Sequence, residues 1–426
     1  MDPVTIGVLA LVALLVLIGL RVPIAASLIA VSFVGIWAVA GLRPAMSMLS
    51  TIPYTTSASW TLSSIPMFLL MGYIAFHSGL TRGLFEAARV WWGWLPGGLA
   101  IASLAGASGF AAVSGSSVAC SAAIGRIAVP EMARAGYDLR IATGSVAAGG
   151  TIGALIPPSI ILILFGIQAE TSINDLFLGG LILGLGSLAF YVAAVLIVWW
   201  RHPERLPRAA GHSMGDRWKK TLEIWPVLLL IGAVFGGLFS GIFTATEAGA
   251  FGSFMALAIG IGRRTLSWAR FKESLVDTLL SSGSLFIIAI GANLFTRLVA
   301  MSGLSMQMGD FVDGLGLGTL TLLLLIVLIY LVIGMFLEPI GALLLTLPLF
   351  LPVLAEHGVD KLWFGLLVAK LLEIGMITPP VGLNVFVIHS VARDYVRLEQ
   401  IFAGIVPFIL ADLALVATML ALRGFM

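Results

Sequence analysis

Gly153-Ala154-Leu155-Ile156-Pro157-Pro158-Ser159 and Gly375-Met376-Ile377-Thr378-Pro379-Pro380-Val381 are the two stretches that decide how the rest of the chain is read. Each interrupts an apolar segment. The first lies between Ile141 to Ile156 and Ser159 to Gly166, the second between Leu362 to Ile377 and Val381 to Val391. Two consecutive prolines cannot donate to carbonyls a turn back, and each disfavours helical geometry in the residue before it. Both helices are therefore predicted to open at the prolines. Open backbone at membrane depth is tolerated only where it is buried in protein or faces a watery cavity. There freed carbonyls can meet cations and half-helix N-termini can meet anions. A proline kink without a ligand is the bland alternative. Kinks seldom come doubled, paired with glycine and duplicated along one chain, so the breaks are read as the binding site.

Composition supplies the membrane. Of the 426 residues, 60% are apolar and 10% charged, against about a quarter charged in ordinary soluble domains. Runs such as Val4 to Leu20, Leu176 to Trp200, Leu320 to Leu337 and Ile401 to Leu422 are long enough for a hydrocarbon core of about 30 Å. The first run has no basic n-region, and Arg21 follows it without a small-residue cleavage site. It reads as a retained helix rather than a secretory signal. Cys120 is the only cysteine, which excludes an intrachain disulfide and a Cys-based metal site and leaves it as a small packing residue. None of the five lysines follows a glycine, so the chain has no P-loop with which to use ATP.

Charge orients the spans. With the N-terminus outside, alternation places Arg21, Arg82, Arg89, Arg126, Arg134, Arg140, the group from Arg201 to Lys220, the group from Arg263 to Lys272, Arg393 and Arg397 inside. Only Arg43, Lys361 and Arg423 fall outside, as the positive-inside rule requires. This holds only if two segments enter the membrane and return to the same side. One is Gly98 to Val129, turning at Ser114-Gly115-Ser116-Ser117, and the other is Leu320 to Leu354, turning at Leu337-Glu338-Pro339. Trp91, Trp92 and Trp94, with Trp199 and Trp200, suit an interfacial belt. The stretch from Arg82 to Trp94 is expected to lie along the surface.

The two halves repeat. At an offset of 222 residues (153 to 375), Pro130 meets Pro352, Gly136 meets Gly358, Asp138 meets Asp360, and Pro157-Pro158 meets Pro379-Pro380; the hairpin turns fall in the same register. Opposite orientation of the two hairpins makes this an inverted repeat of the kind alternating-access transporters use. The expected fold is an all-α integral membrane protein with two re-entrant hairpins and two broken helices. Residues 1–90 and 201–304 would form a scaffold, and 91–200 and 305–426 the transport part.

Residues at the breaks and turns are mostly small or hydroxyl-bearing, and Glu338 is the one acid among them. That set suits weak oxygen coordination of a monovalent cation better than a tight divalent site, with sodium or proton both open. Glu338 is a functional candidate as an intramembrane carboxylate, the alternative being a helix cap. Glu247, Arg297, Lys370, Glu373 and Asp412 are expected to pair structurally, Lys370 and Glu373 at helical spacing.

Ile65-Pro66-Met67-Phe68-Leu69-Leu70-Met71-Gly72, Ser114-Gly115-Ser116-Ser117, Gly150-Thr151-Ile152-Gly153 through Ser159, Glu338-Pro339 and Gly375 through Asn384 together resemble the large membrane subunit of TRAP (tripartite ATP-independent periplasmic) transporters over essentially the full chain. The resemblance implies a sodium-coupled elevator importer of an organic acid, such as a C4-dicarboxylate or sialic acid, in the bacterial inner membrane. It implies a separate small membrane subunit and a periplasmic substrate-binding protein as partners, with no cofactor beyond sodium as coupling ion. Carried over residue by residue, a first sodium site would use Ser114, Ser117 and the backbone around Gly153, Ile156 and Pro158. A second would use Gly334, Gly375, Thr378 and Val381, and substrate would lie near Ser116, Ser159, Glu338 and Asn384.

Three other readings compete. Gly106-Ala107-Ser108-Gly109 matches the nucleophile motif of rhomboid intramembrane proteases, which need a general base against that serine. Of the five histidines, His202, His212 and His357 fall in loops, His77 lies near a membrane face, and only His389 is plausibly buried, so no catalytic function is expected. A passive channel would also use broken helices, and a proton-coupled carrier would use the same scaffold.

Overall fold

The computed structural model describes residues 2–208, 211 and 213–423; His212 lies outside the described residues. The described chain is helical, with no strand. Five of its helices are long and apolar enough to cross a membrane, among them Ile173–Arg201, Trp268–Ser302 and Leu398–Leu422. Up to seven spans result if each of two bent helix pairs is counted as one. The protein is a multi-pass membrane protein.

At both places where a hairpin is expected, two helices are joined by a short turn. The first joins arms Gly98–Ser114 and Ser117–Arg134 through Gly115 and Ser116. Gly115 takes a left-handed φ of 62°, a conformation that costs glycine nothing, and Ser116 caps the second arm by accepting from the Ala119 amide at 3.3 Å. Pro130 is carried inside this arm, which continues to Arg134. The second hairpin joins Thr319–Gly334 and Pro339–Glu356 through four residues ending at Glu338. Pro339 opens its second arm, where a missing N–H is harmless. This arm alone has the length of a span.

The two proline breaks also form, with boundaries close to those expected. Leu139–Thr151 passes through a tight turn at Ile152–Ala154 and resumes as Ile160–Ala169. Lys361–Gly375 resumes as Leu383–Val391. In both, the peptide between the prolines is cis. The first break restarts at Ser159, whose hydroxyl accepts from Leu162 N at 3.2 Å. The second restarts at Gly382, with φ 57°.

The stretch expected along the surface forms a short helix, Gly83–Trp92, within a segment Leu80–Trp92 that is bent 70° from Ser64–His77. It buries Leu84, Phe85, Ala87, Ala88 and Val90 and lies on the first hairpin, where a side chain at Gly106 would meet Phe85 Cα at 3.2 Å.

A fully buried polar cluster ties the two halves together. Lys370 Nζ lies 2.5 Å from Asp412 Oδ1, with both side chains at 0% exposure. Tyr191 Oη donates to Asp412 Oδ2 at 2.8 Å and meets Thr151 Oγ1 at 2.9 Å, while Lys370 also donates to Ser187 at 3.0 Å. The expected Lys370–Glu373 pair is not made. The ammonium reaches across to Asp412 on the last helix, where two further oxygens complete its donor set, and a partner three residues along its own helix offers no such set. Glu373 is fully buried, and neither carboxylate oxygen has a hydrogen-bond partner among the described residues. The Ser117 hydroxyl lies beside it without good hydrogen-bond geometry. Glu247 instead caps its own helix in a reciprocal pair with Thr244, and Arg297 is exposed.

Candidate substrate and ion sites

Each hairpin tip presses its backbone against the proline break of its own half. At the first, a Cβ on Gly115 would collide with the Pro158 carbonyl oxygen, and one on Gly153 would stand 2.9 Å from Ser116 O and 3.0 Å from Cys120 Cβ. At the second, a Cβ on Gly375 would collide with the carbonyl of Gly334. The glycines are there because main chain meets main chain, so each break sets its backbone against that of a hairpin tip; of the carbonyls four residues before the prolines, Ala154 O accepts from Ser159 Oγ, Gly375 O from Thr378 N and Met376 O from Asn384 N.

Of the residues expected at the first ion site, Ser114 ends the first arm with its Oγ buried and unpartnered. Ser117 opens the second arm, Ile156 is buried, and the Pro158 carbonyl faces Gly115. Ser114 thus carries an unpartnered buried hydroxyl one residue from the Gly115–Pro158 contact, and a buried hydroxyl oxygen without a partner is a group that an oxygen-coordinated cation can use. At the second, Thr378 Oγ1 donates to Ile374 O at 2.6 Å, leaving its lone pairs open to a cation. Gly334 and Gly375 are in backbone contact, and Val381 sits half-buried inside the break.

A cavity of about 570 Å³ separates the hairpin tips from helices Ser64–His77 and Trp268–Ser302. Ser114 and Ser116 of the first tip and Glu338 of the second share its wall, joining three of the expected residues across 224 positions of sequence (338 − 114). Glu338 lies close to the Gly341 amide but makes no capping hydrogen bond of good geometry. Ser159 and Asn384, expected beside the substrate, are not on the wall. Ser159 is fully buried, donating to Ala154 O and capping Leu162, and its neighbour Ile160 lines the cavity instead. Asn384 is fully buried with both amide atoms unpartnered.

The cavity also has walls that the motifs did not mark. Tyr73 and Ser281, hydrogen-bonded at 2.7 Å, and Ser284 line the side formed by the two long helices. Arg126, one of the charges expected on the inner side, lines it too. These lie in ordinary helical sequence, where only an exposed polar residue on an apolar helix could have signalled them. The Ser108 hydroxyl donates to Leu104 O at 3.0 Å within its own helix, and His77 is held by Asp277 at 2.8 Å.

Paired helix–turn–helix units and paired broken helices, with a cavity between the tips and two long helices, are the build of a membrane transporter. Two solved transporters share this fold: the Alcanivorax borkumensis YdaH transporter, with a TM-score of 0.67 at 15% identity over 90% of this chain and 89% of that one, and Neisseria gonorrhoeae MtrF, with a TM-score of 0.62 at 13% identity over 99% and 95%.

Within that class the sequence is specific. The family described as "Tripartite ATP-independent periplasmic transporter, DctM component" matches residues 11–425, and the chain belongs to it. The C4-dicarboxylate TRAP transporter large permease protein DctM of Pseudomonas aeruginosa is 36% identical over 79% of each chain. The sialic acid TRAP transporter large permease protein SiaM of Vibrio cholerae is 31% identical over 82% of each. The isethionate TRAP transporter permease protein DctMQ of Oleidesulfovibrio alaskensis is 32% identical over 94% of this chain and 62% of its own length. These relatives are permeases, in keeping with the non-enzymatic reading.

Proposed function

We propose that the protein is the large transmembrane subunit of a sodium-coupled importer of an organic acid in the bacterial inner membrane. A periplasmic binding protein delivers the acid and a separate small membrane subunit completes the assembly. The observation that carries this reading is the contact of each hairpin tip with its own proline break, around a cavity shared by Ser114, Ser116 and Glu338. Sodium ions bind at Ser114, Ser117 and the carbonyls around Gly153, Ile156 and Pro158, and at Gly334, Gly375, Thr378 and Val381. Residues 91–200 and 305–426 move as one transport part against 1–90 and 201–304, carrying the cavity from one membrane face to the other. The relatives' names, C4-dicarboxylate and sialic acid permeases, support an anionic carboxylate as cargo.

Two cation sites, one in each half, set the electrical behaviour. Two sodium ions with a monoanion move one net positive charge, which is worth about 2.3 kcal/mol per 100 mV. An inside-negative potential of about 100 mV then raises accumulation of a monoanion roughly fiftyfold and leaves a dianion unaffected. Proteoliposomes holding the protein with its partners, a fixed sodium gradient and a potassium–valinomycin potential measure this directly. Accumulation without a sodium gradient, or fewer than two sodium ions per substrate, rejects the two-site mechanism. Saturable uptake separates it from a channel.

A further inference from the structure

We propose that Arg126 is a substrate-binding residue, the anchor for a single acid group at the end of the cavity far from the hairpin tips, and that the cavity selects an extended hydroxyl-bearing monocarboxylate over a short diacid. This inference rests on the reading of the cavity as the substrate chamber.

Geometry places Arg126 there. Ala119, Ala122, Ala123 and Arg126 all line the cavity, and their i, i+3, i+4, i+7 spacing is one face of the second arm of the first hairpin. Three alanines keep that face thin and leave room beside it. Arg126 follows the tip residue Ser116 by ten positions (126 − 116), about 15 Å at 1.5 Å per residue. Helical side chains lean toward the N-terminus, which for this arm is the tip. The guanidinium is thus directed along the arm into the chamber.

Its charge is uncommitted. Arg126 is exposed and has no ion pair or hydrogen bond among the described residues. The nearby acids have other partners: Asp277 and Glu273 hold His77, and Glu131 faces Arg89 and Arg134. Much of the remaining wall is apolar, including Phe76, Phe110, Leu285 and Ile288. Such walls exclude water and strengthen a charge-assisted pair, and a guanidinium offers a planar fork that matches a carboxylate. A free arginine in that setting is suited to a ligand it holds only in passing.

The rest of the lining selects the body of that ligand. Arg126 and Glu338 are the charged side chains on the described wall, and they form no ion pair. One cation accommodates one acid group, and Glu338 repels a second acid near the tips. Between them stand the hydroxyls of Ser114, Ser116, Tyr73, Ser281 and Ser284, which suit a polyhydroxylated chain. A four-carbon diacid reaches one end of this chamber only, and its second carboxylate finds no cation.

The test uses the assembled membrane complex in detergent, without the binding protein or a sodium gradient, so that loss of coupling leaves it intact. Thermal stabilisation is titrated with gluconate, its neutral amide gluconamide and succinate. Wild type should respond to gluconate at about tenfold lower concentration than to gluconamide or succinate, the size of one good charge-assisted bond. Arg126→Gln should lose the preference for acid over amide, and Arg126→Lys should keep most of it, with unliganded melting temperatures unchanged because the side chain has no partner to lose. A purely structural arginine would not alter the acid-to-amide ratio. An unchanged ratio in Arg126→Gln overturns the anchor. Succinate matching gluconate, or no response to gluconate, overturns the substrate class. Sodium-dependent uptake, measured separately, reports on the transport reading itself.

Discussion

The two halves use one backbone plan with different side chains. The first tip is a two-residue turn with hydroxyls at Ser114, Ser116 and Ser117, and the second is a four-residue turn ending in the carboxylate of Glu338. The first break restarts on a serine cap, Ser159. The second restarts on left-handed Gly382, followed by the buried, unpartnered Asn384. What the halves share is main chain: proline pairs that interrupt a helix and glycines that let a tip touch a break. Where they differ is in what the polar side chains at the tips and helix restarts offer, hydroxyls in the first half and a carboxylate and an amide in the second. The two halves thus use the same backbone device with different chemistry at each copy.

The most severe way to break this comparison is to cut the tie between the halves. Lys370 is buried with Asp412, Tyr191 and Ser187, and Thr151 reaches the same cluster through Tyr191. Lys370→Met leaves Asp412 charged and unpaired in the interior, and losing one partner of a buried pair costs about 3–5 kcal/mol. We expect poor assembly and a large drop in thermal stability. Asp412→Leu combined with Lys370→Met should recover most of it, since removing both charges removes the unpaired one. A Lys370→Met protein as stable as wild type would show that the halves do not depend on this cluster.

A second test compares the two tip contacts directly. Gly375→Ala sets a methyl against the backbone carbonyl of Gly334, which cannot rotate away. Gly153→Ala meets Ser116 O and Cys120 Cβ at about 3 Å, where a few tenths of an ångström relieve the contact. Overpacking of this kind costs about 1–3 kcal/mol, with Gly375→Ala at the upper end and Gly153→Ala at the lower. Both are read by thermal unfolding of the purified complex. Equal costs would mean that Gly153 and Gly375 are held equally tightly against their tips.

Much of this was legible in the sequence because prolines and glycines act through the backbone alone. Pro157-Pro158 and Pro379-Pro380 place both breaks, and the turns at Ser114 to Ser117 and before Pro339 place both hairpins, within a few residues. Pairing between distant side chains was not legible. Lys370 and Glu373 look like a pair at helical spacing, yet Asp412, 42 positions on (412 − 370), takes the ammonium. Arg126 counted only as one of the inside charges, because counting charges cannot distinguish a helix end in water from a cavity wall. Ser159 and Asn384 sit in the right motif, but each side chain points into the protein, and only packing decides which face of a one-turn motif looks outward.

The smallest effect expected is at Thr378, and it sharpens the comparison most, because the first half has no equivalent threonine before its prolines; Ile156 holds that place. The Thr378 hydroxyl donates to Ile374 O at 2.6 Å. Valine keeps the shape and removes that bond, at a cost of about 1 kcal/mol in stability. If the hydroxyl oxygen also faces a sodium ion, Thr378→Val weakens that ion by a similar amount, and the sodium concentration for half-maximal uptake should rise about fivefold. Thr378→Ser keeps the oxygen and should restore wild-type sodium dependence even where it leaves some stability unrecovered, which separates a ligand from a helix cap. Substituting the first half at Ile156→Val tests the converse, since there only the backbone carbonyl would meet the ion; its sodium dependence should not move. A Thr378→Val protein with lowered stability and unchanged sodium dependence would leave the hydroxyl as a cap for Ile374 and make both halves bind cations through main chain alone.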